Sequence, residues 1–358
     1  MTIVGARPQF IKTAAISRLI NTSKYQGIDE VLVHTGQHYD NNMSQSFFQE
    51  LNISNPSYNL SVGSGSQGSQ TGMIMTKLEE LVLIENPDWV LVYGDTNSTL
   101  AGALVASKAP IRLAHVESGL RSFHWGMAEE VNRVVTDRLS DILFCPSETA
   151  RKNLLLEGRK ENVYMSGDIG YDSFIHYRSR VEHNSILQKF NLNKKQYILT
   201  TLHRAENTNN PNRLIGIIST LCELSTKVKV VLPLHPRTKK VIKEYSISTK
   251  GLYIVEPVSY LTMIALLVNS KIIITDSGGL QKESYFAKVP CITLRDETEW
   301  VETLENGWNR LISPDDCSAI NNTVERLLKL DFTNATYLES YGNGNAATKI
   351  LDTLIDLS

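Results

Sequence analysis

Branched apolar residues gather into short, nearly unbroken runs along the chain, and between those runs the apolar positions fall three and four apart. In the first half the runs are 1–4, 30–34, 89–93, 111–116 and 142–145, with helical spacing over 11–21, 69–85, 97–108 and 128–139. Alternation of this kind, with Val, Ile and Leu on both faces of each strand, predicts a parallel sheet covered by helices on either side. A second series follows at 197–201, 228–234, 252–255, 271–275 and 289–294, again separated by helical stretches. The polar, weakly patterned segment 167–195 separates the two series, and the Gly- and Ser-rich stretch 61–69 reads as a loop too short to join domains. The expected fold class is α/β: two Rossmann-like doubly wound domains, 1–170 and 171–339, facing one another across a cleft. A last helical stretch, 346–357, is expected to pack back on the first domain.

Bulk composition narrows the function classes. At 358 residues, 42% hydrophobic and 21% charged, the chain can bury two ordinary globular cores. A net charge of −2 gives no general pull toward nucleic acid or an anionic membrane, so neither is an expected partner. Cys145, Cys222, Cys291 and Cys317 are scattered without a Cys-x-x-Cys pair, which predicts a reduced protein without structural zinc. Cys291 lies in the apolar run 290–294 and reads as a small core residue. No apolar run approaches the roughly 18–20 residues of a membrane span. With no signal sequence ahead of Arg7-Pro8, the expected location is cytoplasmic.

Candidate chemistry sits at the ends of the runs. Asp95 in Gly94-Asp95-Thr96 and Glu117 in His115-Val116-Glu117 close consecutive ones. A right-handed parallel crossover brings both to the carboxyl edge of the sheet, on strands about 4.8 Å apart, where two carboxylates can share one small substrate. Glu129-Glu130 follow at the start of the next helix. Plainer readings exist for each acid. Asp95 could cap the helix from Asn97 or Ser98, Glu129 and Glu130 could simply suit a helix dipole, and Glu129 with Arg133 could be a surface i,i+4 pair.

In the second half, Asp276-Ser277-Gly278-Gly279 joins the run 271–275 to a helix. Such a turn offers backbone N–H groups and a helix N-terminus to an anion, and Glu283 on that helix could accept from ribose hydroxyls. Equally, Ser277 could be an ordinary N-cap. His203 and Arg204 after one strand, and His235 and Arg237 after the next, reach the same edge as fork-shaped or ring donors that suit a diphosphate. Gly5-Ala6-Arg7-Pro8 lacks the later glycines of a dinucleotide fingerprint, and the chain has no Tyr-x-x-x-Lys pair, so no nicotinamide cofactor is expected. Arg7 and Lys12 instead put positive charge at the edge of the first sheet.

Taken together these segments resemble a known set. Gly5-Ala6-Arg7-Pro8-Gln9-Phe10-Ile11-Lys12, Thr35-Gly36-Gln37-His38, Gly94-Asp95-Thr96 and His115-Val116-Glu117-Ser118-Gly119-Leu120-Arg121-Ser122 match one family. So do Glu129-Glu130-Val131-Asn132-Arg133, His203-Arg204-Ala205-Glu206-Asn207, Asp276-Ser277-Gly278-Gly279 and Leu294-Arg295-Asp296-Glu297-Thr298-Glu299-Trp300. From Thr2 to about Asn309 the chain resembles the UDP-N-acetylglucosamine 2-epimerases of bacteria and archaea.

The resemblance implies a glycosyltransferase-B-like fold and a homodimer. It implies interconversion of UDP-N-acetylglucosamine and UDP-N-acetylmannosamine for surface polysaccharide precursors, with neither metal nor organic cofactor. Proton loss from sugar C2 would accompany departure of UDP from C1, giving a 2-acetamidoglucal to which UDP adds back after reprotonation on the other face. Asp95, Glu117 and Glu129 would form the acid/base set, with Lys12 near the reacting sugar and His203 and Arg133 beside the leaving diphosphate. Arg7 and the Ser277-Gly278-Gly279 turn would hold that diphosphate, Glu283 the ribose, and Arg237 the uracil side. Arg204, Glu206, Asn207, His235 and Arg295 would complete the UDP-sugar site.

The chain departs from the family pattern at four places. Ala128 replaces a helix-starting Pro, which is expected to loosen the loop carrying Glu129, and Ser118 replaces an Ala. Set against the family pattern, the first strand is expected to be short, as if the chain began several residues late. Stretch 71–80 lacks the Arg with which many bacterial members bind a regulatory second substrate molecule. Four alternatives stand beside this reading: a 2-epimerase of UDP-2,3-diacetamido-glucuronic acid, a hydrolysing epimerase that releases N-acetylmannosamine, a glycosyltransferase on the same fold, and a non-catalytic nucleotide-sugar sensor.

Overall fold

Every strand pairing among the described residues, 1–37 and 48–358 of this computed structural model, is parallel. The chain divides into two units, Met1–Ile175 with Glu339–Ser358, and His176–Leu338. Unit 1 carries β1 (Thr2–Val4), β2 (Leu32–His34), β3 (Tyr58–Asn59), β4 (Trp89–Tyr93), β5 (Arg112–Val116), β6 (Ile142–Cys145) and β7 (Val163–Met165), in the order β3-β2-β1-β4-β5-β6-β7. Unit 2 carries β8 (Tyr197–Thr201), β9 (Lys229–Pro233), β10 (Tyr253–Val255), β11 (Ile272–Thr275), β12 (Cys291–Leu294) and β13 (Asn309–Ile312), in the order β10-β9-β8-β11-β12-β13. Both are doubly wound sheets, as expected.

Central strands are apolar on both faces because helices cover both. Unit 1 carries α1 (Arg7–Ile20), α2 (Gln67–Glu85), α3 (Asn97–Lys108), α4 (Ala128–Leu139), α5 (Glu148–Leu156), the first part of α6 (Ile169–Arg178) and a C-terminal helix. Ile3, Val33, Val90 and Val92 of the sheet share one core with Ile74 and Leu78 of α2 and Ala101 and Val105 of α3. Burying each Val, Leu or Ile side chain of this set contributes about 1.5–3 kcal/mol. In unit 2, Ile198, Val230, Leu232, Ile272 and Ile274 pack with Leu214, Ile217, Leu221, Ile320 and Val324. Cys291 is buried in the same sheet.

Three sequence expectations need correction. Helix α1 begins at Arg7 rather than 11, with Pro8 in its first turn, where a missing N–H leaves no bond unmade. Helix α2 begins at Gln67, inside the stretch read as a loop. Segment 167–195, read as weakly patterned, holds α6 and a further helix, α7 (His183–Lys189). Strands β3, β7 and β13 were not anticipated.

The C-terminal helix, Ala346–Asp356, lies against α1. Asp352 on it accepts from Lys24 Nζ at 2.8 Å and from the Tyr25 hydroxyl at 2.9 Å. Among the described residues no helix is long and apolar enough to cross a membrane.

Asp172 of α6 holds the start of this C-terminal helix, its Oδ2 accepting from Ala347 N at 2.8 Å. Its Oδ1 is buried without a hydrogen-bond partner. Burial pushes the carboxyl up to about 6, against the opposing effect of the Ala347 and Ala346 N–H groups. The fold therefore prefers protonated Asp172. Its stabilising contribution is complete below about pH 4 and is lost as pH rises through about 6, a swing of about 3 kcal/mol. Asp172→Asn should therefore gain stability relative to wild type between pH 4 and pH 7, measured by thermal unfolding across that range. A pH-independent difference would contradict this assignment.

Candidate active site

In unit 1 the strand order reverses between β1 and β4, and ligands of doubly wound sheets bind beyond the carboxyl ends of the strands at such a point. Arg7 follows β1, Asp95 follows β4 and Glu117 follows β5, with Tyr93 of β4 in register with Val116 of β5. Arg7 is exposed, while Lys12 reaches from α1 to form an ion pair with Glu117. Gly94 turns with φ of 64°, and a Cβ there would lie 3.1 Å from Glu117 Oε2 and 3.2 Å from Lys12 Nζ. Glycine thus serves both the backbone reversal and the close approach of that pair. Glu117 itself has φ of 74°, a left-handed conformation that costs a side-chain-bearing residue about 1–2 kcal/mol.

Asp95 is ion-paired with Arg133 of α4, and Arg133 Nη1 also donates to Glu130 Oε2 at 3.0 Å. The Arg133 side chain is only 4% exposed, so it is a buried bridge between acids and not the surface partner of Glu129. Asp95 does not cap α3 either. Thr96 is the N-cap, its hydroxyl accepting from Thr99 N. Glu129 stands exposed in the first turn of α4, whereas Glu130 is buried and accepts from Ser122 N and Phe123 N, both at 2.9 Å. Helix α4 starts at Ala128, with Met127 at the N-cap and no side-chain capping bond.

Sequence reasoning passed over four side chains that support this edge. Asp137 of α4 accepts from Arg121 Nη1 at 2.7 Å and from Gly119 N at 3.0 Å, and lies 2.7 Å from His115 Nδ1. Burial pushes its carboxyl up, but the His115 and Arg121 charges and hydrogen bonds outweigh that and hold it below the usual carboxylate range. His115 Nε2 lies 2.7 Å from the Gly94 carbonyl, and Asn132 Nδ2 donates to the Asp95 carbonyl at 2.9 Å. His115, Arg121 and Asn132 stood within family-like motifs, while Asp137 lies one helical turn beyond Arg133.

In unit 2 the order reverses between β8 and β11, where Thr201 pairs with Thr275 and their hydroxyls lie 2.6 Å apart. Fully buried Asp276 follows β11 and accepts from His203 N at 3.0 Å, Arg204 N at 2.9 Å and Asn207 Nδ2 at 3.2 Å. Burial raises its carboxyl, yet the His203 ring and these backbone donors hold it below the usual range. His203 Nδ1 sits 3.1 Å from Asp276 Oδ1, which orients the ring of a side chain that is 41% exposed. Asn207, expected at the substrate, is buried in the scaffold beneath this loop and also donates to Leu294 O.

Ser277 caps its helix, Gly278–Phe286, accepting from Leu280 N at 3.3 Å. A Cβ on Gly278 would lie 2.9 Å from Glu299 Oε1 and 3.4 Å from Trp300 Nε1, so the loop after β12 closes directly on this turn. Gly279 beside it is open to solvent. Buried Arg295 pairs with Glu299 at 3.0 Å, and Lys282, also overlooked, lies 3.8 Å from the Trp300 ring centroid. Glu283 is half-buried.

Other expected residues lie further out. Glu206 is exposed and pairs with Arg204 at 3.2 Å. Exposed His235 caps the helix Pro236–Glu244, its Nδ1 accepting from the N–H of exposed Arg237 at 3.2 Å. The His235 ring stands 5.8 Å from that of His203. His38 lies outside the described residues. Among the described residues no group of three or more His, Cys, Asp or Glu is arranged to hold a metal ion.

Comparison with known proteins bears on this geometry. The family model described as UDP-N-acetylglucosamine 2-epimerase matches residues 21–355. A UDP-N-acetylglucosamine 2-epimerase homolog of Methanococcus maripaludis is 49% identical, covering 100% of this chain and 99% of its own. The UDP-2,3-diacetamido-2,3-dideoxy-D-glucuronate 2-epimerase of Pseudomonas aeruginosa is 44% identical, with coverage of 100% and 99%. The crystal structure of Methanocaldococcus jannaschii UDP-GlcNAc 2-epimerase in complex with UDP-GlcNAc and UDP is similar with a TM-score of 0.91 and 42% identity, covering 99% of each chain. The two-sheet α/β architecture is accordingly of the glycosyltransferase-B-like kind. The chain belongs to the UDP-N-acetylglucosamine 2-epimerase family, and as a member it is an enzyme of the isomerase class.

Proposed function

We propose that the protein interconverts UDP-N-acetylglucosamine and UDP-N-acetylmannosamine without hydrolysis, as a cytoplasmic homodimer supplying surface polysaccharide precursors. The observation that carries the reading is the placement of Asp95 and Glu117 at adjacent strand ends, each already facing a cation, Arg133 or Lys12. Sugar C2 has no neighbouring carbonyl to acidify its proton, so proton loss must be coupled to departure of UDP. A carboxylate takes the C2 proton as the C1–O bond breaks, the electron pair leaves with UDP, and a 2-acetamidoglucal results. Reprotonation of C2 on the opposite face, with return of a UDP oxygen to C1, gives the epimer. Asp95, Glu117 and exposed Glu129 form the acid/base set, and a positioned acid or base of this kind contributes about 10²–10⁴-fold. His203, oriented by Asp276, and the Ser277-Gly278-Gly279 turn take the diphosphate, with Arg7, Arg204 and Arg295 adding charge. Glu283 and Arg237 serve the ribose and uracil.

A second reading, epimerisation of a UDP-2,3-diacetamido-glucuronic acid, is favoured by the 44% identity to the Pseudomonas aeruginosa enzyme of that name. Incubation of each nucleotide sugar in D2O, followed by NMR, decides between them. UDP-N-acetylglucosamine is expected to gain deuterium at C2 in both epimers. Exchange with the diacetamido sugar alone would install the second reading, and free N-acetylmannosamine with UDP would mean hydrolysis. Asp95→Asn and Glu117→Gln should each slow C2 exchange at least about 100-fold while UDP still binds. Wild-type exchange in either variant would make that acid structural.

Gly278→Ala offers a separate check on the diphosphate site. The added methyl meets the far end of the Glu299 side chain, which can swing away, so unfolding should change by less than about 1 kcal/mol. The displaced carboxylate disturbs its pairing with Arg295, and UDP affinity by calorimetry should fall about tenfold, or ~1.4 kcal/mol. Unchanged affinity would remove this turn from the UDP site.

A further inference from the structure

One buried carboxylate gathers the three chain segments that bear the proposed acids. His115 Nε2 faces the Gly94 carbonyl at 2.7 Å, and a carbonyl only accepts, so Nε2 carries a proton. Nδ1 faces Asp137 Oδ1 at 2.7 Å, while Asp137 Oδ2 already accepts from Gly119 N and Arg121 Nη1. A carboxylate held by those donors accepts at Oδ1 as well, so both ring nitrogens donate and His115 is an imidazolium, assigned from its hydrogen-bond network.

The connections then run to each acid. Through His115, Asp137 fixes the peptide carbonyl immediately before Asp95, and Asn132 of the same helix holds the Asp95 carbonyl itself at 2.9 Å. Through Gly119 N, it fixes the turn that keeps Glu117 at its positive φ. Asp137 also belongs to α4, whose first turn carries Glu129 and whose Arg133 grips Asp95. Stability alone is a weak reason to keep such a pair, because apolar residues of similar volume commonly replace a buried ion pair at no loss. Orientation is the stronger one. Misplacing a reacting group by about 1 Å can cost 100-fold in rate.

We propose that the His115–Asp137 charge pair is a positioning device for the proton transfer, setting Asp95 and Glu117 on one substrate carbon without itself touching the substrate. This rests on the 2-epimerase reading. Asp137→Asn and His115→Gln each break the charge pair with little change of shape. C2 exchange should drop about 100-fold in kcat, with KM and the UDP dissociation constant within about twofold of wild type. A merely structural role would lower the fraction of UDP-binding protein and leave kcat per binding site unchanged, and that outcome would overturn the proposal.

Nitrogen NMR of uniformly labelled wild-type protein supplies a measurement that does not depend on the variants folding. The His115 ring, assigned through the sequential connectivities of the wild-type protein itself, should show protons on both ring nitrogens at neutral pH. A singly protonated ring there overturns the charge pair. If wild-type protein exchanges no C2 proton in any of the tested sugars, the functional reading fails, and the ring spectrum still decides whether the charge pair exists.

Discussion

A carboxylate removed from water must find its full complement of donors inside the protein, and at Asp137 that requirement organises the working edge of the first unit. Leaving such an ion without partners would cost several kcal/mol. Its donors come from a strand, from the turn after that strand, and from an arginine beyond it. Unit 2 solves the same problem in the same place. Asp276 sits at the reversal of its sheet and draws in two successive backbone N–H groups, an amide and a histidine ring. In each unit one buried anion turns a set of loops into a fixed surface, with its charge spent on geometry.

The fold was legible where strands are buried on both faces. Trp89–Tyr93 and Ile142–Cys145 show as continuous apolar runs because helices cover both sides of them. The unanticipated strands β3, β7 and β13 all lie at sheet edges, where one side has no neighbour and burial is incomplete. Asn309-Arg310-Leu311-Ile312 does not announce a strand, because half of it is polar. Helix α7 was hidden for a related reason: only Leu187 of His183–Lys189 is buried, so it presents almost no apolar stripe.

At the candidate site, residues that end strands are legible in the sequence, and the partners that hold them are not. Asp95 and Glu117 could be found because each follows an apolar run. Arg133 carried two readings, a surface pair with Glu129 and a place beside the leaving diphosphate, and its burial against Asp95 and Glu130 excludes the first. The partnership of Asp137 with His115 crosses from helix to strand, and no spacing rule encodes it. Asp276 stood in plain view at the head of its motif, overshadowed by the glycines that follow.

Glu117 binds strain and charge into one feature. Its backbone lies in a region that glycine enters freely and glutamate enters at a cost. Glycine would relieve that cost of about 1–2 kcal/mol, but it would leave the largely buried Lys12 ammonium without its carboxylate, a loss of about 3–5 kcal/mol. The ion pair therefore outweighs the strain of the turn that presents it, and a residue unfavourable by its backbone alone is favourable in its setting.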